Sequence, residues 1–516
     1  MGTITNVSDI IRVHGTEQPS AVALVLGDRT VTWGQLYERS CRMANLFRAA
    51  GVGPEDRVAF LDKNGIEHFE VFFGAALLNA VSVDVNWRLA APEVEYIVND
   101  AEAKVFVVGS DFEPVLDAIS GTLRPGMKVL RIGSEYEGEL AAQPADDPGV
   151  QQTGQDVAFQ LYSSGTTGRP KGVMLTNDNF FGLLPLAKEI WELTPDSVNL
   201  VAMPLFHIGG GGWAMAGMYL GCRSVVVREL DPVALIDLIQ KERITHAFLV
   251  PAVLQFMLMV PSAATADWSS LEIVVYGASP ISEEVLSRAV TTFGCKFWQA
   301  YGLTETTGAV VNLSPEDHDV NGPNKHRLRS CGTAGPGVEL RIVDPDTGRD
   351  CDQGEVGEIL VRGPQIMKGY WKMPEETAKS IDANGWFRSG DAGYFDKDGY
   401  LYIHDRVKDM IVSGGENVYP AEVENVLMSH PGIADVAVIG VPHERWGETA
   451  KAVVVRRPEV DVTEQEIIEF SRERLARFKC PTSVDWIEAL PRNPSGKILK
   501  KDLRAPYWEG RERNVN

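Results

Sequence analysis

The sequence predicts an α/β protein: a large N-terminal domain of parallel sheets covered by helices, with a β-rich subdomain, and a small α+β C-terminal domain. Three observations predict it. From Thr32 to about residue 300, apolar strand segments alternate with amphipathic helical ones, the pattern of parallel strands with helices on both faces. After about residue 330 the helices give way to short strands separated by Gly, Asp and Pro turns. The charged stretch His404–Asp409 then separates these strands from a compact helix–strand–strand–helix pattern. A chain of 516 residues is too long for one hydrophobic core, so the boundary is placed in that stretch, giving domains 1–404 and 405–516.

The elements follow in order. Thr32 with Gln35 three residues on forms a capping box, Leu36, Met43, Ala44 and Phe47 share one face, and Gly51 ends the helix. Arg57–Leu61 and Val81–Val85 are short strands around the mostly apolar helix Glu67–Asn79, and Glu93–Asp100 with Lys104–Val108 repeats the cycle. Further strands fall at Val198–Met203, Ser224–Val227, Thr245–Leu249, Ile273–Tyr276 and Lys296–Gln299. Gly335–Val343, Gly357–Arg362, Trp386–Arg388 and Tyr400–Ile403 make the β-rich part. Beyond the charged stretch come the helix Ala421–Ser429, the strands Val436–Ile439 and Ala452–Val455, and the helix Glu464–Leu475.

Composition narrows the function. A net charge of −22 argues against nucleic acid as the main partner and against general attraction to anionic lipid. An acidic protein that binds anions must concentrate its cations at the site. The six cysteines have no CxxC spacing and no His at metal spacing, which fits reduced residues of a cytosolic protein. The N-terminal residues lack signal-peptide character, and the most apolar run, Ala247–Val260, is too short to span a bilayer. The expectation is a cytoplasmic protein with at most peripheral membrane contact; monomer and homodimer both stay open.

The chemistry concentrates in a few segments. Leu161–Gly172 (LYSSGTTGRPKG) holds two Ser, two Thr, three Gly and Lys171 directly after an apolar strand. Backbone N–H groups in such a loop form an anion nest, hydroxyls add donors and Lys adds a point charge. It is not a Walker A loop, because Pro170 precedes Lys171 and Gly172 follows it; an ordinary surface loop is the bland alternative. The strand Ile273–Tyr276 runs into Gly277–Ala278–Ser279, where small residues admit a flat ligand. The next strand ends in Gln299–Thr306 (QAYGLTET), bringing an aromatic, hydroxyls and a carboxylate to the end of a parallel strand, where ligands of open α/β sheets bind. Trp386–Asp391 (WFRSGD) places Asp391 after another strand, and a carboxylate suits paired ribose hydroxyls.

These segments, with YGASP, HDRVKDMIVSGGENVYPAEVE and PRNPSGK, resemble the motifs of the adenylate-forming superfamily in sequence and order, over nearly the whole chain. The nearest likeness is to bacterial fatty-acyl-CoA ligases. The resemblance implies a small, mobile C-terminal domain that swings about a hinge, matched here by Lys408. It implies that Ser163, Ser164, Gly165, Thr166, Thr167, Gly168 and Lys171 close over the β- and γ-phosphates of ATP. Tyr301 would stack on adenine beside the Gly277–Ala278–Ser279 backbone, with Gly302 next to it. Thr304 and Glu305 would contact phosphate and Mg²⁺, Glu305 as metal ligand; a hard cation prefers such oxygens. Asp391 would hold the ribose, with Arg406 nearby. Lys497 would bridge the attacking carboxylate and the α-phosphate, stabilising charge that develops between two anions. Gly414 and Gly415 would line a thiol channel for coenzyme A, and Trp446–Gly447–Glu448 matches a further CoA-side motif. Arg472, Arg474, Arg477 and Lys479 suit the CoA phosphates, or are simply a solvated face.

The acid is the least defined partner. Phe206–His207 sits where the superfamily begins its acyl pocket, with His207 at the reacting end, and no Asp is present there to pair with an α-amino group. A medium or long-chain fatty acid, or another bulky apolar acid, is expected. The Trp gate of some long-chain enzymes falls at Gly211, with Trp213 two residues on. Gly209–Gly212 either open space near the carboxylate or only let helix and backbone pack closely. Gly209–Ala214 also fits a dinucleotide fingerprint with Glu229 downstream, a pattern that four glycines satisfy trivially. The expected reaction joins acid, ATP and CoA into acyl-CoA, AMP and pyrophosphate. An amide ligase using an amine acceptor, or an aryl-acid CoA ligase, is the alternative.

Overall fold

A computed structural model describes residues 2–163, 170–279, 281–345, 347–406, 409–413, 416–443, 446–458, 460–492 and 498–509. Two large sheets carry the N-terminal part. In the first, the strands Val22–Leu26, Arg223–Val226, Val198–Val201, His246–Leu249, Ile273–Gly277 and Lys296–Leu303 lie side by side in parallel, with antiparallel strands at both edges. In the second, Arg57–Leu61, Val81–Asp84, Val105–Val108, Lys128–Arg131 and Val157–Ser163 are parallel, and Lys171–Thr176 turns back antiparallel to Val157–Ser163. Both faces of the central strands are buried, as their unbroken apolar runs require.

The helix expected after Thr32 spans Trp33–Ala49. The Thr32 side chain accepts from the Gln35 N–H and the Gln35 side chain accepts from the Thr32 N–H, so two orphan amides are satisfied reciprocally. Its apolar face packs into a continuous core where Phe72 meets Phe159 edge to face at 5.3 Å. That contact joins the helix Ile66–Leu77 to the strand that leads into the Ser/Thr/Gly loop. A four-stranded antiparallel sheet follows, ordered Glu339–Val343, Gly357–Arg362, Phe387–Phe395, Leu401–Arg406. A last mixed sheet pairs Ile433–His443 with Gly447–Arg456 and is covered by the helices Pro420–Met428 and Glu464–Arg472 around its own apolar core. The α/β class and the small α+β unit stand as expected.

Several boundaries differ. The strand expected at Trp386–Arg388 runs to Phe395, so Asp391 lies within it, opposite Arg406, instead of after its end. Gly390 takes φ +68 inside the strand, and its N–H donates to Glu358. The strand Lys296–Leu303 likewise extends through Tyr301 and Gly302. All six cysteines are free, four of them buried.

Candidate active site

The site is built where the carboxyl ends of two parallel strands meet the other two sheets of the N-terminal part. Ile273–Gly277 ends at Gly277, where a Cβ would stand 2.1 Å from the Ala300 carbonyl oxygen of the adjacent strand. Ala278 follows in the left-handed region at φ +65, a strained choice for a residue with a Cβ, and such strain collects at functional sites. Ser279 is half-buried beside it.

Next to this edge, Tyr301 donates its hydroxyl to Asp391 Oδ2 at 2.7 Å, joining the nine-stranded sheet to the four-stranded one. Asp391 is buried, and its N–H donates to Ser389 Oγ at 3.0 Å. Gly302 then permits a sharp turn, since a Cβ there would lie 1.7 Å from the Gly308 carbonyl oxygen. Thr304–Thr306 forms one 3₁₀ turn, held by the buried Thr306 hydroxyl, which accepts from the Leu303 N–H and donates to the Gly308 carbonyl, both at 2.8 Å.

Glu305 on that turn reaches the seven-stranded sheet. Its Oε1 accepts from Ser163 Oγ and from the Tyr370 hydroxyl, both at 3.1 Å. Ser163 is the last residue of its strand, at the root of the Ser/Thr/Gly loop. Lys171, at the other root, is buried and pairs with Glu376 Oε2 at 2.6 Å, its ammonium 5.0 Å from the centre of the Tyr370 ring. Lys171 first and Lys379 second hold the Glu376 carboxyl down to about 2. The Glu305 carboxylate, with the Ser163 hydroxyl bonded to it, offers oxygen donors, which suit Mg²⁺.

His207 stands at the N-cap position of the helix Ile208–Leu220 without a capping side-chain bond, beside Phe206 at 4.6 Å between ring centroids. Burial, and then the nearby Arg88 charge, lowers its pKa to about 4, so the imidazole is neutral at neutral pH, and its buried Nε2 has no hydrogen-bond partner among the described residues. Phe206 packs edge-on against Trp87 at 6.4 Å, and the Arg88 guanidinium lies 4.2 Å from the Trp87 ring centre.

The four glycines lie inside this helix. A Cβ on Gly210 would stand 2.1 Å from the Pro204 carbonyl oxygen, and one on Gly211 2.8 Å from that of Leu205. Close packing of helix on backbone is therefore their main office, and only Gly212 meets nothing nearer than the Ile208 side chain at 3.6 Å. Of the two readings of this run, close packing holds at Gly209, Gly210 and Gly211, and only Gly212 leaves room. Trp213 is buried and donates to the Leu200 carbonyl at 3.1 Å, a core residue and not a gate. The dinucleotide pattern also fails: its glycines are helical, and Glu229 pairs with Lys63.

On the other side, Trp446 is 40% exposed and stacks on His443 at 4.5 Å. The strands Ile411–Ser413 and Glu416–Val418 pair as a hairpin. Of the basic cluster, Lys479 bonds Glu422 at 2.7 and 2.8 Å and Arg474 lies 3.6 Å over Phe470, while Arg472 and Arg477 are exposed. Ser164, Gly165, Thr166, Thr167, Gly168, Lys408, Gly414, Gly415 and Lys497 lie outside the described residues, as does the Arg406 side chain. Sequence reasoning passed over Tyr370, Glu376, Trp87 and Arg88. The available signal for the first two was the compact run Lys368–Glu376, in which an aromatic pair and a proline-led acidic turn follow a glycine.

This arrangement defines a two-part α/β enzyme whose working surface lies beyond the carboxyl ends of parallel strands and is closed by two further sheets. The chain belongs to the AMP-binding enzyme family, whose model matches residues 11–371, and the AMP-binding enzyme C-terminal domain matches residues 422–497. It is 39% identical over 510 residues to the fatty acid–[acyl-carrier-protein] ligase ScoC of Streptomyces coeruleorubidus, covering 98% of this chain and 96% of that one. It is also 39% identical over 512 residues to the long-chain-fatty-acid–CoA ligase FadD13 of Mycobacterium tuberculosis, covering 97% and 98%. ATP-bound MatB of Rhodopseudomonas palustris superposes with a TM-score of 0.90 at 30% identity, over 97% of this chain and 99% of that one. The same enzyme without ATP superposes at 0.79.

Proposed function

We propose that the protein is an AMP-forming acid–thiol ligase. It activates a carboxylic acid with ATP as an acyl-adenylate, releasing pyrophosphate, and passes the acyl group to the thiol of coenzyme A, releasing AMP. The observation that carries this is Glu305, which sits one turn beyond the Tyr301–Asp391 pair and is bonded to Ser163 at the root of the phosphate loop. Adenosine and triphosphate recognition thus meet on one short segment. Mg²⁺, held through Glu305, would neutralise phosphate charge when bound. Tyr301 and Asp391 would orient adenine and ribose, and Lys497 would bring the cation between the two reacting anions.

The division at 404/405 belongs to this reading: the residues beyond it would deliver Lys497 for the first half-reaction and the Gly414–Gly415 hairpin with Trp446 for the second. The better fit to ATP-bound than to ATP-free MatB supports an arrangement suited to the first half-reaction. A neutral His207 framed by Phe206 and Trp87 supports an apolar acid, fatty or aromatic. No helix among the described residues is long and apolar enough to cross a membrane. The six free cysteines support work in a reducing cytoplasm.

The test is pyrophosphate release across fatty, aryl and cyclic acids, followed by mass analysis of products formed with CoA, with an acyl carrier protein and with amines. Acyl-CoA with a fatty or bulky apolar acid is expected, and turnover with amines alone would overturn the acceptor. Lys497→Ala is expected to abolish adenylate formation nearly completely while leaving thioesterification of supplied acyl-adenylate largely intact. Equal loss of both half-reactions would remove Lys497 from its proposed role.

A further inference from the structure

The segment Ile366–Trp371 connects three parts of the site. The Met367 N–H donates to the Glu305 carbonyl at 2.9 Å, the Lys368 N–H to the Met174 carbonyl at 3.0 Å, and the Trp371 N–H to the Gly172 carbonyl at 2.7 Å. Gly369–Tyr370 is a two-residue strand against Lys171–Thr176, and the Tyr370 N–H also donates to Thr377 Oγ1 at 2.9 Å, on the helix that carries Glu376. The backbone of Tyr370 is therefore pinned from both sides before its side chain does anything. Its ring is buried.

That side chain touches both charged groups of the candidate phosphate site. The hydroxyl donates to Glu305 Oε1, and the ring face lies under the Lys171 ammonium. A cation over a tyrosine face is attracted by the ring quadrupole, and Glu376 at 2.6 Å keeps the ammonium there. Among the described residues, the two donors to the Glu305 carboxylate, Ser163 and Tyr370, fall on the same oxygen, Oε1. Two donors on one oxygen fix the plane of the carboxylate, and among the described residues no donor is bonded to Oε2.

The geometry points to Tyr370 as a positioning residue: its hydroxyl holds Glu305 so that Oε2 is presented to the divalent cation that accompanies ATP, and its ring sets the distance between that carboxylate and Lys171. This rests on the proposed role of Glu305 as the metal ligand.

Tyr370→Phe removes the hydroxyl and keeps the ring, its packing and the cation contact. The reading is direct Mn²⁺ binding by electron paramagnetic resonance, with the full-length protein and a non-hydrolysable ATP analogue, beside ATP–pyrophosphate exchange at varied Mg²⁺. Loss of one hydrogen bond to a charged acceptor, with the Ser163 bond remaining, is expected to weaken Mn²⁺ binding and raise the half-saturating Mg²⁺ by about tenfold. Thioesterification of supplied acyl-adenylate is expected to stay unchanged, as is the melting temperature. Should the variant fail to fold, Ser163→Ala, which removes the other donor from Oε1, is expected to weaken Mn²⁺ binding in the same direction. Wild-type Mn²⁺ affinity in the folded Tyr370→Phe variant, or in Ser163→Ala where that is the variant measured, overturns the positioning role while leaving the ligase reading in place. Absence of nucleotide-dependent Mn²⁺ binding in the wild type overturns both.

Discussion

Two substitutions within the glycine run test whether those residues serve packing or space. Gly210 and Gly212 stand two apart in the helix Ile208–Leu220, so they face different surroundings. A methyl on Gly210 would be 2.1 Å from the Pro204 carbonyl oxygen and 2.7 Å from that of Met203. Those carbonyls cannot swing aside cheaply. Asn64 Nδ2 donates to the Met203 carbonyl at 3.0 Å, Asn64 Oδ1 accepts from the Leu205 N–H at 3.0 Å, and the His207 N–H donates to Pro204 at 3.2 Å. Overpacking costs roughly 1–3 kcal/mol, and each lost hydrogen bond adds about 1 kcal/mol. Gly210→Ala should therefore lose about 3–5 kcal/mol and displace His207, the residue at the N-cap position of the helix. A methyl on Gly212 meets only Ile208 Cδ1 at 3.6 Å, ordinary contact. Gly212→Ala should gain about 1 kcal/mol, the usual difference between Ala and Gly in a helix interior. Thermal melting and pyrophosphate release on both variants read the result. A Gly210→Ala protein that melts with the wild type, or a Gly212→Ala protein less stable than it, would refute the packing argument.

Other expectations are simpler to state. Tyr301→Phe removes the 2.7 Å bond to Asp391 but keeps the ring, so KM for ATP should rise by about tenfold in pyrophosphate-release assays, with little change in melting temperature. Acid should destabilise the fold before the carboxylates titrate. Burial lowers the pKa of His207, His246 and His318 from the ordinary 6.5 to about 4. Above pH 6.5 each is neutral in both states; below it the unfolded chain takes a proton that the folded chain refuses. Stability is thus lost as pH falls from 6.5 toward 4, at up to about 1.4 kcal/mol per pH unit for each residue. Urea unfolding at stepped pH measures this, and a flat profile between pH 6.5 and 4.5 would contradict it.

How much of this was legible depended on whether local chemistry and tertiary context agreed. The capping box at Thr32 and Gln35 is a local bond pattern, and the helix began where it predicts. The parallel strands were legible because buried strands need apolar runs. The helix Ile208–Leu220 was hidden, since a run of four glycines opposes helix formation in isolation; it exists because the backbone of Met203–Leu205 can approach only where there is no Cβ. Asp391 was identified as a ribose candidate but set in the wrong local structure, because a left-handed Gly390 inside a strand looks like a turn in sequence. Tyr370 left no periodic trace at all: its strand has two residues, and its partners lie 65 residues away at Glu305 and far upstream at Lys171.

Charge explains why the site must be assembled from distant segments. ATP, a carboxylic acid and CoA are all anions, and the chain carries −22. Residues 405–516 hold 17 Lys and Arg against 19 Asp and Glu, so nearly all the acidic excess lies in residues 1–404, with 32 against 52. Lys171, at the described root of the Ser/Thr/Gly loop, is already in contact with Glu376. Its charge is therefore shared before any phosphate arrives, and it contributes direction more than net attraction. A permanently cationic cleft would hold pyrophosphate and AMP as firmly as it holds ATP, and would slow the release that each half-reaction requires. On the role proposed for Lys497, a cation supplied from the nearly neutral C-terminal segment would avoid this, because the charge that binds the first transition state would leave with the segment that carries it. The acidic N-terminal residues and a lysine borrowed from the C-terminal segment would then be two parts of one arrangement.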